Sequence, residues 1–542
     1  MFVGSGPCGP LDPRSACTAL LLPCDNRAAF HPASAPLAAN SSSRRRFGPS
    51  AALLIVCLGA LLAPLDSTVN TAFPVITAAF GLPLRDIQWV VVSYVIAQTS
   101  LTIVFGRIGD LYGHRRVFAI GLAACVITHA AAALAGSYGG LIAARVFQGI
   151  AVGMTLACAP ALATLMFPPD RKRHIVAFYV MAVNIGMAAG PLLGGVLIEL
   201  FGWPGVYAFR VPLALAVLCL LPWLPEAGVG AGAQGAAGAV GAAGGAAGAA
   251  GAAGAAAADA GVSVIAEAQS DPAVPRPPAG LAAFDWAGAL LMTTALTGVI
   301  LALGEATRPA GQGWLALLLL AAGCAAGWAF VRQESRVAAP VMRIEPFRSP
   351  LFSAVQLSSS VINFAGFSIL LLVPYVTAGW TGVSIIIAGG LLALYPAGAV
   401  LGGLAGGRLL LPAMTTGHLG IWLVAAGLAG TAWAIGADAR WPLAVTLLTA
   451  GFGLGLFQVG YMDATTSLLP EHERGIAGSL VSVTRLIGIV AGASGISWIH
   501  ERLQSFPATF ALLAVLLVVF DLALRRFVGR PMAAAPDPTR RA

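Results

Sequence analysis

The chain has 542 residues, of which 58% are hydrophobic and only 10% are charged, and its mean hydropathy is +0.86. Soluble domains carry about 25% charged residues, so this composition excludes a water-soluble globular protein. The net charge of +8 comes from arginines that stand singly between apolar runs, which indicates membrane orientation rather than nucleic-acid binding. Eight cysteines without a C-x-x-C pair indicate neither a disulfide framework nor a metal site.

Long apolar runs recur along most of the chain, and a helix needs about 20 apolar residues to cross a bilayer. The sequence predicts fourteen spans, at residues 51–72, 87–106, 117–136, 139–166, 175–200, 206–224, 284–304, 314–331, 351–376, 383–407, 417–436, 442–468, 476–499 and 507–526. The runs are too long for β-barrel strands, and they do not alternate. We therefore expect an all-helical, multi-pass protein of the cell membrane.

The arginines also predict the topology of these spans. With both termini in the cytoplasm, the predicted inner segments hold 23 Lys and Arg residues, whereas the predicted outer loops hold five, Arg85, Arg210, Arg308, Arg440 and Arg502. This asymmetry agrees with the positive-inside rule. Trp89, Trp203, Trp314, Trp380 and Trp441 stand at predicted outer junctions, where tryptophan is enriched in membrane proteins.

Composition divides the chain into seven parts. In order, they are a disordered cytoplasmic tail (1–50), a six-helix bundle (51–225), a Gly/Ala- and Pro-rich cytoplasmic linker (226–283), two inserted transmembrane helices (284–331), a cytoplasmic connector (332–350), a second six-helix bundle (351–526) and a cytoplasmic tail (527–542). Shifting the chain by 301 residues places Asn184 over Arg485 and residues 169–173 over 470–474. This offset indicates that the two bundles are internal repeats.

The chemistry-bearing residues exclude several classes of protein. The single lysine, Lys172, does not stand in a Gly-Lys-Ser/Thr motif, so ATP hydrolysis by a P-loop is excluded. We find no nucleophile motif, metal cluster or cofactor motif. The sequence therefore predicts a non-enzyme without cofactors, and a transporter of this kind needs an ion gradient or its substrate's own gradient.

Four motifs resemble those of the major facilitator superfamily. Residues 106–116 resemble its signature loop, residues 184–195 its antiporter motif, and residues 65–74 and 145–149 its fourteen-spanner drug:proton antiporter branch. The resemblance covers about residues 50–526. It implies the major facilitator fold, with two inserted helices, and alternating-access efflux of drug-like or lipophilic small molecules in exchange for protons. Leu111 and His114 depart from the family loop, which usually carries basic residues there.

Two glycine-containing motifs have a physical interpretation of their own. Gly106 and Gly113 permit a tight turn, and Asp110 can pair with arginines to latch the two halves; Arg115 and Arg116 belong to the same loop. Alternatively, this loop is a solvated turn whose charges only set the topology.

The antiporter motif places small residues and one proline on one face of span five, at Gly186, Gly190, Pro191, Gly194 and Gly195. Such a face packs helices closely, and the resemblance implies that it also blocks a leak.

Asp66 and Arg145 are the strongest candidates for proton coupling. Each lies about six residues from the outer end of its span, or roughly 9 Å deep. Ionisable residues at membrane depth cost several kcal/mol and usually mark a pathway or a proton relay. Matched depth predicts that the two side chains pair, and a proton or a cationic substrate then competes with Arg145 for Asp66. Alternatively, the pair is static and fixes the helix register.

The second half contains a weaker pair. Asp463 and Arg485 differ in depth by roughly 5 Å, within the reach of an arginine, and are either a structural pair or part of the pathway.

Asp521 is expected at the membrane interface and His129 in the packed core. The remaining cavity candidates are Asn70, Tyr94, Gln98, Gln148, Asn184, Gln356, Asn363 and Gln458. Their low charge favours a lipophilic, neutral or weakly cationic substrate.

Two alternatives to a proton-coupled exporter remain open. A proton-coupled uptake symporter or a uniporter has the same fold, and the direction of substrate-induced proton flux distinguishes it. A membrane sensor that does not transport would signal through residues 227–283. Deletion of the Gly/Ala tract abolishes the function of such a sensor, whereas a passive connector tolerates it. We expect a monomer in the lipid bilayer, with protons and a small molecule as its partners.

Overall fold

The computed structural model describes residues 49–165, 172–223, 285–306, 313–337, 345–409, 411–468 and 477–528. Within these ranges the secondary structure is helical, without strands. The predicted linker, residues 1–48, residues 529–542 and the segments 169–171 and 470–474 of the predicted repeat lie outside the described residues.

The first half is built from eight α-helices and two short 3₁₀-helices among the described residues. The α-helices are α1 (Pro49–Ala60), α2 (Thr68–Phe80), α3 (Gln88–Tyr112), α4 (His114–Ala133), α5 (Tyr138–Leu165), α6 (Lys172–Phe201), α7 (Gly205–Ala208) and α8 (Arg210–Leu220). The 3₁₀-helices are Pro64–Ser67, between α1 and α2, and Leu221–Trp223, after α8.

The inserted pair and the second half supply the remaining helices. They are α9 (Trp286–Ala306) and α10 (Gly313–Glu334), followed, after a 3₁₀-helix at Glu345–Arg348, by α11 (Pro350–Gly379), α12 (Ile385–Gly406), α13 (Ala413–Gly436), α14 (Arg440–Leu468), α15 (Ala477–Leu503) and α16 (Phe506–Val528). Each predicted span overlaps a helix. In the part of the chain described, eleven helical segments are long and apolar enough to cross a membrane, so the count of fourteen crossings stays a prediction.

Two predicted spans are interrupted rather than continuous. Span one is split by the 3₁₀-helix Pro64–Ser67, and its second part continues to Phe80, beyond the predicted end at residue 72. Pro64 lacks a backbone N–H and cannot continue the α-helical ladder. Span six is divided between α7 and α8, where Phe209 separates them. Each interruption lies at an ionisable residue: Asp66 belongs to the 3₁₀-helix, and Arg210 is the first residue of α8.

Among the described residues, the two halves share an apolar core at one end. We call the predicted extracellular ends of the helices the outer ends. One cluster of buried side chains joins this part of the first half to the second half, and it includes Phe73, Ile76, Val90, Ile198, Ile369 and Leu392. A separate cluster belongs to the rest of the first half and includes Val56, Phe118, Cys158 and Leu221. Arg85 also lies 3.5 Å from Glu501 of the second half, so the halves are joined at their outer ends.

The inserted helices α9 and α10 pack chiefly against each other, and α9 also contacts α3 and α15. Their contact is tight, since a Cβ atom on Gly298 would lie 2.8 Å from the Cα atom of Gly323. Asp285 precedes α9, and its carboxylate accepts hydrogen bonds from the Gly288 backbone N–H (2.8 Å) and the Gln333 amide (3.1 Å). The inserted pair is therefore a helical hairpin beside the two halves.

Candidate functional site

The carboxylate of Asp66 lies at the interruption of span one and is held by two arginines. Arg145 donates two hydrogen bonds of 2.7 Å, one to each carboxylate oxygen. Arg210 donates a third, of 2.8 Å, to Oδ1. Both arginine side chains are fully buried, and that of Asp66 is 15% exposed. The paired geometry that matched depth predicted for Asp66 and Arg145 is present, whereas its role in proton coupling stays a prediction.

Arg145 is fixed in place from several directions. It projects from α5, and its Nε donates to the backbone carbonyl of Val90 at 2.7 Å. Its Nη1 donates to the Gln148 side chain at 2.9 Å, one turn along the same helix. The guanidinium also lies 4.3 Å from the centre of the Tyr94 ring, a cation–π distance. This arrangement orients the flat guanidinium edge towards Asp66 and leaves little rotamer freedom.

Arg210 was expected in an outer loop, and this prediction is wrong. It is the first residue of α8, fully buried, and its Nη2 donates to the Thr68 hydroxyl (2.7 Å) and the Leu65 carbonyl (3.0 Å). A signal was available, because the predicted span 206–224 already contained Arg210 four residues from its start. A buried carboxylate offers this guanidinium a partner that compensates for the loss of water.

One carboxylate shared by two guanidiniums gives this cluster a formal charge of +1. The Asp66–Arg145–Arg210 cluster therefore stabilises the ionised form of Asp66, since neutralising it would leave two buried cations without a counter-ion. His129 is buried on α4, where its Nδ1 lies 2.6 Å from the Cys125 carbonyl oxygen, in agreement with the expected packed residue. Chemically, a proton on the Asp66 carboxylate would remove the charge that holds the two guanidiniums.

The glycines of the antiporter motif bring α6 against span one beside Asp66. A Cβ atom on Gly186 would lie 2.6 Å from the Leu61 side chain, and one on Gly194 would lie 2.6 Å from the Thr68 carbonyl oxygen. A Cβ atom on Gly190 would overlap the Ser67 hydroxyl. A larger residue at Gly194 requires a shift of the first-span backbone, whereas at Gly186 and Gly190 the nearest atoms belong to side chains.

The same motif also contacts the second half. A Cβ atom on Gly195 would lie 2.7 Å from the Ile385 carbonyl oxygen at the start of α12, and one on Gly389 would overlap the Pro191 carbonyl. The Pro191 carbonyl accepts a hydrogen bond of 3.0 Å from the Thr71 hydroxyl. The motif therefore joins span one, α6 and α12 near the outer ends, and its predicted role in blocking a leak stays a prediction.

The signature loop forms the turn between α3 and α4. Gly113 has a φ angle of +94°, a conformation that side chains rarely adopt. Arg115 donates a hydrogen bond of 2.9 Å to the Leu221 carbonyl, and Arg116 is exposed, while Gly106 is buried within α3. The side chain of Asp110, the predicted latch residue, lies outside the described residues. The contact of Arg115 with the end of span six is within the first half.

Several cavity candidates make hydrogen bonds within their own half. Gln148 accepts from Arg145, and Asn363 donates to the Ser359 carbonyl at 2.8 Å. Gln356 accepts from Tyr461 at 2.5 Å and donates to Thr465 at 3.2 Å. Tyr94, Asn184 and Gln458 are buried, whereas Asn70 and Gln98 are half-buried. We therefore assign Gln148, Gln356 and Asn363 to intramolecular networks in this conformation.

Asp463 and Arg485 do not form the expected ion pair: among the residues that the structure describes, Arg485 has no carboxylate within 4.0 Å. Asp463 is exposed and Arg485 is half-buried on α15. A difference in depth that an arginine side chain can span is not sufficient for pairing, because the two side chains must also face each other.

Asp521, expected at the interface, is fully buried in the protein. Its carboxylate lies 2.5 Å from His418 Nδ1 and accepts hydrogen bonds of 2.7 Å from the Trp422 indole and from Arg525. This cluster joins α13 to α16 at their predicted inner ends. The sequence showed Arg525 one turn after Asp521 but gave no signal for the partners on α13.

Known proteins show related sequences over most of the chain. The profile of the Major Facilitator Superfamily matches residues 55–246. The tetracenomycin C resistance and export protein of Streptomyces glaucescens is 28% identical over 453 residues, which cover 82% of this chain and 75% of that protein. The drug efflux pump JefA of Mycobacterium tuberculosis is 26% identical and covers 82% of this chain and 78% of its own. Residues 55–246 thus match the major facilitator superfamily, and both of these relatives align with most of the chain.

Other relatives agree with this similarity. The riboflavin transporter RibZ of Clostridioides difficile is 30% identical over 176 residues, 32% of this chain and 39% of that protein. The xylose transporter XylE from E. coli, in a partially occluded inward-open conformation, superimposes with a TM-score of 0.52 at 13% identity, covering 89% of this chain and 98% of that chain. The fold is that of major facilitator proteins, and the protein is a multi-pass membrane transporter rather than an enzyme.

The Asp66–Arg145–Arg210 cluster predicts an asymmetric effect of substitutions on stability. Asp66→Ala leaves two buried guanidiniums unpaired and should lower the free energy of unfolding by about 3–5 kcal/mol. Arg210→Gln should cost less, because Asp66 keeps the two hydrogen bonds from Arg145. Apparent melting temperatures of the detergent-purified variants measure this order. Asp463→Ala, at an exposed carboxylate, is the control and should melt like the wild type, and equal melting of all three variants would contradict the assignment.

The glycine contact between α6 and span one predicts a second stability difference. Gly194→Ala introduces a methyl group against the backbone of Thr68 and should destabilise the protein by about 1–3 kcal/mol through overpacking. The matched control is Gly417→Ala on α13, where a Cβ atom would meet nothing within 4 Å. This control should be neutral or slightly stabilising because alanine favours helices. Thermal unfolding of both variants checks the difference, and an unchanged melting temperature for Gly194→Ala would count against the close packing.

Proposed function

We propose that this protein exports drug-like or lipophilic small molecules across the cell membrane in exchange for protons, as a member of the drug:proton antiporter branch. The observation that carries the proposal is the Asp66 carboxylate, held between Arg145 and Arg210 at the interruption of span one. Ionisable residues at membrane depth mark pathways or proton relays.

The conformation supports a definite place for this carboxylate in an alternating-access cycle. The outer ends of the halves are joined, by the Arg85–Glu501 contact among others, while Asp66 is paired with both arginines. We assign this arrangement to the state that has released its proton to the cytoplasm and receives substrate from that side. A proton from outside then reaches Asp66 only after the outer ends separate.

The proton acts on the cluster through charge alone. Protonation neutralises Asp66, so its attraction to the two guanidiniums is lost and the arginines are free to move away. Each proton that enters across a potential of 100 mV supplies about 2.3 kcal/mol. The return to the paired state releases the proton to the cytoplasm. The free energy that the proton supplies by entering the cell drives the substrate outward.

The antiporter motif connects this charge change to the contact between the halves. Ser67 and Thr68 follow Asp66 directly and are the residues that lie against Gly190 and Gly194. Gly195, on the same helix, lies against α12 of the second half. A shift of the Asp66 segment therefore reaches the outer contact through backbone atoms that are already touching, without a long chain of side chains.

The relatives support export more than uptake, without assigning a substrate. Two of them are named for export or efflux, of tetracenomycin C and of drugs, and match 82% of this chain. The riboflavin transporter matches 32% of it, so vitamins and drugs both occur as cargo among proteins of this kind. We take the drug-like substrate class from the two longer matches.

Transport in inverted vesicles tests the proposal. A panel of compounds is first screened for resistance on overexpression, and a compound found in this way is then used as the transported substrate. Adding it to energised inverted vesicles should release protons from the lumen, and Asp66→Asn should abolish this flux while leaving the protein folded. Asp463→Asn is the matched control and should keep the flux.

Two outcomes would count against the proposal. If Asp66→Asn keeps wild-type proton-coupled efflux, Asp66 is not the coupling residue. If the substrate moves protons in its own direction, the protein is a symporter, the alternative that has the same fold.

A further inference from the structure

Arg485 lies at membrane depth, on the side of α15 that faces the interior of the second half. The exposed side chains of α15 include Ile487 and Trp498, which lie about 200° and 220° around the helix from Arg485 at 100° per residue. Gly492 is within about 20° of Arg485, and a Cβ atom there would lie 2.9 Å from the Phe364 carbonyl oxygen of α11. Arg485 is therefore directed towards the interior of the second half rather than towards lipid.

This guanidinium has no counter-ion in the described residues. The Nε atom of Arg485 is buried without a hydrogen-bond partner, and no ion pair joins Arg485 to a described carboxylate. Asp66, the carboxylate of the first half, already serves two arginines. A cation at membrane depth costs several kcal/mol unless it is paired or solvated, so Arg485 needs a partner that the described chain does not provide.

Gln458 lies one turn from a contact between α14 and α15 that Arg485 adjoins, and its side chain also lacks partners among the described residues. Its side chain is 7% exposed, and neither its amide nitrogen nor its amide oxygen has a hydrogen-bond partner among the described residues. A hydrogen bond of 2.9 Å between Tyr461 and Thr484 joins α14 to α15. Gln458 is three residues from Tyr461, about 4.5 Å along the axis, and Arg485 directly follows Thr484. Both unpartnered groups therefore lie within one turn of the same contact.

The Asp66–Arg145–Arg210 cluster of the first half has the same sign of charge as this unpaired group. Its formal charge of +1 and that of Arg485 add to an excess of two positive charges. The sequence-based expectation of a neutral or weakly cationic substrate came from the low charge of the eight polar or aromatic cavity candidates, which did not include Arg485. The ion pair of Arg485 with Asp463 that the sequence suggested is absent among the described residues. An acidic ligand supplies the missing counter-ion, whereas a cation would meet like charge.

We propose that Arg485 and Gln458 form a subsite for an acidic group, a carboxylate or an ionised phenol, on a lipophilic substrate. The guanidinium pairs with the anionic oxygens, as arginine does with carboxylates, and the Gln458 amide N–H donates to the same group. This inference rests on the proposed function in one respect, which is that the ligand of the subsite is the transported substrate. Arg485 and Gln458 thus determine specificity, separately from the proton site at Asp66.

Direct binding tests the subsite without requiring transport. The probes are 1-hydroxy-2-naphthoate and its neutral amide, 1-hydroxy-2-naphthamide, titrated by fluorescence into the full-length protein in detergent at pH 8. The wild type should bind the acid at least tenfold more tightly than the amide. Arg485→Gln should reduce this preference to twofold or less, Arg485→Lys should keep part of it, and Gln458→Leu should weaken binding of the acid threefold or more.

The control variant is Arg526→Gln, which removes an exposed arginine at the end of α16 and should keep the preference. Elution as a single species shows that each variant is folded. Equal, weaker or undetectable binding of the acid by the wild type overturns the subsite, as does an unchanged preference in folded Arg485→Gln. Asp66→Asn should retain the preference for the acid, so a failure of proton coupling and a failure of this subsite give different results.

Discussion

The ion cluster of Asp66, Arg145 and Arg210 is the interaction on which the functional interpretation depends. One carboxylate, placed where Pro64 interrupts span one, compensates two fully buried guanidiniums that arise from α5 and α8. Three separate segments of the first half therefore meet at one charge. A buried cluster of this kind is not a source of net stability in itself, since desolvation offsets much of its attraction. A single proton on Asp66 would change the charge of the cluster, and electrostatic attraction would then no longer hold its three segments together.

In the proposed cycle, the packing around the cluster carries a local change of charge to the contact between the halves. Glycines on α6 admit the backbone of residues 67 and 68 at one side and the start of α12 at the other. Close-packed contacts of this type transmit displacements because they leave no space to absorb them. The apolar core is also continuous between the halves at the outer ends, while a second cluster stays within the first half. Charge, glycine contact and shared core thus lie at the same level of the molecule.

Features that depend on overall composition and on local periodicity could be predicted from the sequence. Apolar length predicted helices at all fourteen positions, and equal depth along two helices predicted the contact of Asp66 with Arg145. Sequence reasoning did not identify Arg210, because that residue was assigned to a loop although it lay inside a predicted span. It paired Asp463 with Arg485 on depth alone, whereas rotation about each helix axis decides whether two side chains meet. The partners of Asp521 on α13 were also missed, because contacts between helices distant in sequence leave no trace in either helix by itself.

The two halves divide the chemistry between them. The offset of 301 residues aligns Arg485 of α15 with Asn184 of α6, so equivalent positions carry a charge in one half and a neutral amide in the other. In the first half, a carboxylate holds the arginines and leaves a proton as the group to be exchanged. In the second half, an arginine without a carboxylate leaves an acidic ligand as the group to be bound. If the proposed function holds, the predicted repeat places proton and substrate at separate sites, and the contact between α6 and α12 connects the two sites without competition for one side chain.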